Sequence, residues 1–452
     1  MSDLLSIGAS GVRAYQTALS TVSENIANTG VAGYTRRTTE LREVGATGNG
    51  LRARTQLEGN GVVVAGIGRQ ADAFRTEAVR FSTTDLARTE TGATWLSGIE
   101  SAMTDNGLSD RLTDFFTSAR RLSADPTSVP SRAVLLEKAS GAAAAFVRTG
   151  EALARETAQL DASTERGVAT LNSLGTALAQ VNDGLARTQV GSAQAAQLAD
   201  QRDQLLADMS AIADVSVKTD PIGRVEVRLG GSAGPVFVAG VETGRLSVRR
   251  NDEGAVAFAV QRNGQTFTMT PSGGALAGMV EGAERLAAAT QRLDTLAAGF
   301  VAGVNAVQAN GSDLDGQAGA AMFAIGDPAT ASSVKVVLAD PRGIAAAKAG
   351  APAGSTDPSN LQALESARVS GGWEGGVTTL ITANAAMLEQ RKLVANAQST
   401  IRDNAVAAQQ SASGVDLDTE AVELLRFQQA YQASSRVIQT ARDILQTILE
   451  IR

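Results

Sequence analysis

Residues 417–451 constrain the fold more than any other stretch of the 452-residue chain. Leu417, Ala421, Leu424, Tyr431, Ile438, Leu445 and Leu449 fall on a seven-residue repeat, and Phe427, Ala430, Val437, Ala441, Ile444, Ile448 and Ile451 form a second stripe beside it. Each spacing gathers its residues on one face of a helix. A helix with two neighbouring apolar faces needs partners on two sides, more than a two-stranded coiled coil supplies. The opposite end of the chain offers one of them. Across residues 3–27, Leu5, Val12, Tyr15, Leu19, Val22 and Ile26 recur at helical spacing, interrupted by Gly8.

Between these ends the pattern predicts a Gly-punctuated ribbon over 35–71, a helix over 72–103, and a further helix stopped by the two prolines of "DPTSVP". Helical spacing then runs to about residue 213, with a break at 190–193. Over 214–270 short β-type runs ("RVEVRL", "PVFVAGV", "AVAFAV") alternate with Gly and Asn turns. Helix resumes over 274–308, is broken by "NGSDLDGQAG", passes one strand, "SVKVVL", and continues from about residue 360. Aromatics at 4% favour long Ala-rich helices over an aromatic core. The expected fold is therefore mainly α with an inserted β domain: terminal helices paired like a coiled coil, a central long-helix bundle, and a small antiparallel β domain at the far end. In residue terms these parts are 1–60 with 405–452, 61–213 with 274–404, and 214–273.

Composition narrows the chemistry. His 0 and Cys 0 remove the commonest general base and metal ligand, every thiol nucleophile and every disulfide, so Ser/His, Cys/His and zinc chemistry are excluded. A net charge of −7 with scattered Lys and Arg gives no footprint for nucleic acid. No stretch approaches the roughly 20 apolar residues of a bilayer span, and the N-terminus lacks the features of a cleavable signal peptide. Gly66, Gly68 and Ala71 match G-x-G-x-x-A, but helix follows where a dinucleotide fold needs a parallel strand. "GSDLDG" resembles part of a calcium loop, yet position 1 is Gly311 and position 12 is Met322. No cofactor, metal or catalytic residue is expected, and the chain reads as a non-enzyme.

"NIANTGVAGY" follows the first helix, and Asn25, Ile26, Ala27, Asn28, Gly33 and Tyr34, with Arg36 after them, match the N-terminal signature of the flagellar axial proteins. Val31 stands where that signature has threonine, and Ala32 where hook-associated members usually have the proline that follows it. "FQQAYQA" (427–433) within the last helix, together with "GNGVVVAGIGRQADAF", "DPTSVPSRAVLL" and "VNAVQANGSDLDGQAGAAMF", resembles hook-associated members of the same family. The resemblance implies a structural subunit of the junction between hook and filament, exported unfolded through the type III channel and located in the extracellular flagellum. It further implies Leu5, Val12, Tyr15, Leu19, Val22, Ile26, Leu424, Phe427, Tyr431, Val437, Ile438, Leu445 and Ile448 as axial packing and self-assembly contacts. Implied partners are other copies of the chain, the hook protein, hook-associated protein 3 and an export chaperone on the C-terminal helix. The alternatives are hook-associated protein 3 itself or a hook-type subunit, and, outside the family, a helical signalling protein or a secreted enzyme.

Overall fold

The computed structural model describes residues 2–44, 61–251 and 254–450, with side chains from Leu4 onward except that of Ile448. Ile448 and Ile451 of the second stripe therefore lie outside the described side chains. Helix α1 (Ser2–Ala27) leads into two consecutive tight turns, closed by Val31 N–H to Asn28 O at 3.1 Å and Tyr34 N–H to Val31 O at 3.2 Å. Gly30 and Gly33 occupy the third position of each turn with φ of 79° and 80°, the left-handed region that glycine enters freely. Ala32 sits at the second position, where proline is favoured but not required, so glycine alone carries the turn.

Strands β1 (Arg37–Glu43) and β2 (Val62–Arg69) pair antiparallel as a ribbon. The pairing carries across the expected edge at 60/61, and both strands pack on α1. "VVVAGIGR" is thus one strand of a ribbon and not a dinucleotide turn. Asp72 then caps α2 (Ala73–Thr104) by accepting from the amides of Phe74 and Arg75. After α3 (Leu108–Leu122) comes α4 (Val129–Arg187), a 59-residue helix that starts at Ser128 with Pro130 in its first turn. Helix α5 (Ala193–Ile212) returns antiparallel to it after the turn expected at 190–193.

The insertion forms two antiparallel sheets. One has the order β3 (Val215–Thr219), β4 (Val225–Leu229), β5 (Val236–Ala239), β6 (Glu242–Thr243), and the other β7 (Arg245–Arg250), β8 (Val256–Arg262), β9 (Gln265–Met269). Alternation decides which face turns inward: Val225, Val227 and Leu229 are buried between the half-exposed Glu226 and Arg228. Asn263 and Gly264, both with positive φ, make the hairpin turn between β8 and β9. The place of the insertion differs from the expected far end. It leans on the flank of α4, where the Asn182 side chain bonds Val225 and Gly240 and the Asn172 side chain bonds Leu246. A few residues further on, Gly191 already meets Gly66 of the ribbon, so the sheets stand nearer the chain ends than expected.

Helix α6 (Gly274–Ala309) packs between α2 and α4, and α7 (Ser359–Gly371) and α8 (Trp373–Ser413) complete the bundle before α9 (Leu417–Glu450). The end of the bundle away from the ribbon corrects the expectation of an aromatic-poor core. Phe115, Phe116, Phe146, Phe300, Phe323 and Trp373 gather there, with Phe116 stacked on Trp373 at 5.8 Å and Phe115 edge-on to Phe300 at 5.6 Å. Six of the aromatic side chains are thus concentrated in one place. "SVKVVL" yields only a two-residue strand at Lys335–Val336, because residues 310–358 follow the bundle surface on side-chain tethers. Asn305 accepts from the amides of Met322 and Phe323, and the buried Arg132 donates to the carbonyls of Pro126 and Ile344. In "GSDLDG" the Asp313 carboxylate accepts from Asp315 and Gln317 amides and Asp315 pairs with Arg342, so these carboxylates hold the loop itself.

Glycines set the separation between helices. A Cβ on Gly278 of α6 would lie 2.6 Å from the Arg88 carbonyl oxygen and 3.0 Å from the Gly92 nitrogen of α2. Both are backbone atoms and cannot turn aside. Gly278→Ala gains about 1 kcal/mol of helix propensity but forces the helices apart, and we expect a net loss of about 1–3 kcal/mol, measured as a lower urea midpoint.

Candidate assembly interface

The chain ends meet as an antiparallel pair. Gly8 of α1 lies against Ile438 of α9, Gly11 against Ser434, Tyr15 against Phe427 with ring centroids 6.3 Å apart, and Asn25 against Glu420. A Cβ on Gly8 would sit 2.6 Å from Ile438 Cγ1, and one on Gly11 2.6 Å from Ser434 Oγ. The seam is consequently a line of small and polar residues, with Gly8, Gly11, Ala14, Ala18, Thr21, Val22 and Asn25 all buried. Gly8 does not interrupt the stripe; it is the point of closest approach. Of the six apolar positions expected on α1, only Val22 is buried, while Leu5, Val12, Tyr15, Leu19 and Ile26 flank the seam half-exposed.

Helix α9 is covered still less. Leu424, Phe427, Tyr431, Ile438 and Leu445 are half-buried on the side of α1, and among the described residues of α9 only Glu420 and Ala441 are buried. Val437 and Ile444 of the second stripe stay exposed, at 38% and 40%, with Val422, Leu425 and Leu449 more exposed again. The covered side of α9 draws on both stripes, Leu424, Tyr431, Ile438 and Leu445 from the first and Phe427 and Ala441 from the second, and Val437 and Ile444 are left open at its edge.

At the inner end of the pair a buried polar clasp replaces apolar packing. The amide of Asn25, 1% exposed, uses its whole hydrogen-bonding capacity. Its Nδ2 donates to the Arg37 carbonyl at 2.8 Å and to Glu420 Oε2 at 2.9 Å, and its Oδ1 accepts from Tyr34 Oη at 2.8 Å and Arg37 N–H at 3.0 Å. The second oxygen of Glu420, fully buried, accepts from Arg36 Nε at 2.5 Å. Glu420 lies in the first turn of α9, where the helix dipole favours a carboxylate. Burial pushes the Tyr34 phenol above its ordinary value, partly opposed by Arg37, whose guanidinium lies 5.0 Å from the ring.

Arg37 carries the clasp into the bundle. It pairs with Glu24 and with Asp200 of α5, each at 3.2 Å, while Arg69 of β2 pairs with Asp200 at 2.8 Å and Asp203 at 2.7 Å. Below it lies a cavity of about 860 Å³, lined by Gly33, Tyr34, Arg80, Asp203, Gln409 and Asp416 among others. Burial lowers the Arg80 guanidinium from its ordinary value, with Asp203 opposing the shift. Asn25, Tyr34 and Arg36 of the N-terminal signature thus converge on one point, and Ile26 packs beside it half-buried. Ala27 is exposed, Asn28 bonds back to Glu24 O, and Gly33 turns the chain. Glu420, Arg37, Arg69 and Asp200 were not anticipated from sequence; "DLDTE" at the start of a helix held the one available signal, an acidic first turn.

The flagellar hook-associated protein FlgK helical domain family matches residues 96–323, half of the chain. The chain belongs to this family. The flagellar basal body rod FlgEFG protein C-terminal family matches residues 408–451, the segment of α9. Flagellar hook-associated protein 1 of Salmonella typhimurium is 32% identical over 344 residues, 74% of this chain and 61% of that protein. The chain therefore spans under two thirds of the length of that relative. Flagellar hook-associated protein 1 of Escherichia coli is 26% identical in an alignment covering 100% of both chains. The flagellar hook junction protein FlgK from Burkholderia pseudomallei shares the fold, with a TM-score of 0.65 at 15% identity over 74% of this chain and 100% of that one.

Asn25→Ala strands Tyr34 Oη, the Arg37 amide and one Glu420 oxygen inside the fold. A loss of about 2–4 kcal/mol is expected, read as faster hydrogen exchange in both terminal helices and little change in the aromatic cluster. Acid acts on the same end. The Thr419 amide, bonded at 2.8 Å, holds the Asp416 carboxyl below its ordinary value. Its contribution is present above about pH 3.9 and is lost as pH falls through the depressed value. Helicity of 417–425 should accordingly fade below pH 4, and Asp416→Ala should remove that step.

Proposed function

We propose that this chain is a structural, non-enzymatic subunit of the junction between flagellar hook and filament, and that it assembles through its terminal helices after type III export. The observation that carries the reading is the partial covering of α9: one side, with Phe427, Ile438 and Ala441, closes on α1, and Val422, Leu425, Val437 and Ile444 are left exposed for neighbouring copies. On this reading Leu5, Val12, Tyr15, Leu19, Val22, Ile26, Leu424, Phe427, Tyr431, Ile438 and Leu445 shape the axial pair and Val437 belongs to its outer contact, while the expected contact Ile448 lies outside the described side chains. Three functional parts follow: the terminal pair with its ribbon, the long-helix bundle, and the β insertion on its flank. Copies of the chain, the hook protein and hook-associated protein 3 would be its partners in the extracellular flagellum. An export chaperone would cover the C-terminal helix beforehand, since an open apolar stripe invites aggregation. An absence of catalytic chemistry accords with the lack of histidine and cysteine.

Deleting the gene should leave hooks without filaments in electron micrographs and unpolymerised flagellin in the medium, and binding of the purified chain to bare hooks should separate it from hook-associated protein 3. Filaments of normal length on the deleted cells would reject the assignment. Leu425→Asp with Val437→Asp, both at exposed positions, should leave monomer stability within about 0.5 kcal/mol yet abolish filament growth.

A further inference from the structure

The sheet of β7, β8 and β9 has two edges, and only one of them is closed. On β7 the Asn172 side chain of α4 accepts from the Leu246 amide at 2.8 Å and donates to its carbonyl at 2.9 Å, which satisfies the outward backbone groups there. Leu246 faces Val260 of β8, and Val260 faces Phe267 of β9. Antiparallel pairs alternate between hydrogen-bonded and non-hydrogen-bonded. Because Leu246 spends its groups on Asn172, Val260 bonds to Phe267, and Thr266 and Thr268 turn their N–H and C=O away from β8. No described residue bonds these outward groups.

The open edge carries none of the devices that normally blunt one. The β9 sequence, QTFTM, has no charge and no proline, and its pairing with β8 has no bulge. Gln265, Thr266, Phe267 and Thr268 are all exposed. Successive strand residues point to opposite faces, so a cavity that touches all four of them runs along the edge and not over one face. Such a slot, about 670 Å³ in volume, lies between β9 and a far wall of Arg228, Pro235 and Val236. The two sheets converge beyond it, where a Cβ on Gly230 would lie 3.0 Å from the Thr270 carbonyl oxygen.

Charge identifies the occupant. Among the described residues, the ionisable ones lining the slot are Arg228 and Arg262. Each has a glutamate neighbour at 3.1 Å, Glu226 and Glu242, but neither glutamate lines the slot, and Arg262 Nε is buried with no partner among the described residues. A second β9 laid in the slot would set these arginines against their own copies, and like charges facing across strands are destabilising. We propose that the slot takes an extended, acidic peptide segment of a different protein, which joins the sheet as a strand beside β9. Its backbone bonds the outward groups of Thr266 and Thr268, its carboxylates face Arg228 and Arg262, and Phe267, 45% exposed, gives the apolar contact between them.

The probe is a fluorescent peptide of about eight residues, within the usual length of a strand, that alternates glutamate with valine and is added to the purified full-length chain. One control replaces glutamate by lysine. The other is the glutamate peptide N-methylated at every amide, which keeps the charge and loses every backbone donor. Binding with a Kd below about 1 mM, at least tenfold weaker for both controls, together with at least tenfold slower hydrogen exchange at the Thr266 and Thr268 amides, supports the proposal. Thr268→Pro removes one outward N–H where an edge strand tolerates proline, and should weaken binding at least tenfold without moving the melting temperature. Arg228→Gln with Arg262→Gln leaves β9 untouched and should erase the preference for glutamate over lysine. No binding at about 1 mM, equal binding of the N-methylated peptide, or protection confined to another segment overturns the proposal. Concentration-dependent protection of the same amides without peptide assigns the edge to a second copy and overturns it as well. The junction role stands or falls separately, since none of these measurements involves the terminal helices.

Discussion

One buried amide–carboxylate contact holds the two ends of this molecule in register. Asn25 and Glu420 are separated by 395 residues and meet without water-exposed surface on either group. Apolar packing along α1 and α9 would tolerate a slip of one turn, since glycine, alanine and serine repeat along the seam. A fully used amide does not tolerate it, because a shifted partner leaves four bonds unmade. The clasp therefore sets register while the small residues set distance. Through Arg37, Arg69, Asp200 and Asp203 the same contact also fixes how the pair meets the bundle.

That arrangement explains why an amphipathic chain end can be both ordered and available. Small residues in the seam let α1 and α9 come close while burying little large apolar surface. Leucine, phenylalanine and valine side chains are displaced to the flanks and the outer stripe. A leucine-rich seam would have consumed the same side chains internally and left nothing for a neighbour. Membership of the hook-associated FlgK family fits a molecule whose apolar surface is only partly spent within the subunit.

The long helices, the ribbon, the position of the insertion in the sequence and the pairing of the ends were legible because periodicity and Gly/Pro punctuation are local signals. The seam was misjudged for a physical reason. Hydrophobic spacing reveals which residues avoid water, whereas closeness of two backbones depends on absent side chains, so Gly8 looked like a flaw. Glu420 was hidden among 47 acidic residues, since nothing local distinguishes a buried carboxylate from a solvated one. The aromatic cluster was missed because composition counts residues and cannot tell that Phe115, Phe300 and Trp373, far apart in sequence, share one site. The lateral place of the β sheets follows from Asn172 and Asn182 of α4, which read in sequence as ordinary polar helix positions.

The separation of Asn25 and Glu420 along the chain makes their contact a test of completeness. Closing so long a loop costs only slightly more entropy than closing a moderate one, yet it demands that almost every residue be present. A chain halted between Ser413 and Glu420 still contains the bundle residues and the whole of α1. It presents the glycine-lined seam with nothing to lay on it, and Asn25 with a vacant donor. Only a polypeptide that reaches Glu420 can shut its own end, so the geometry that fixes register also distinguishes chains that carry α9 from those that do not.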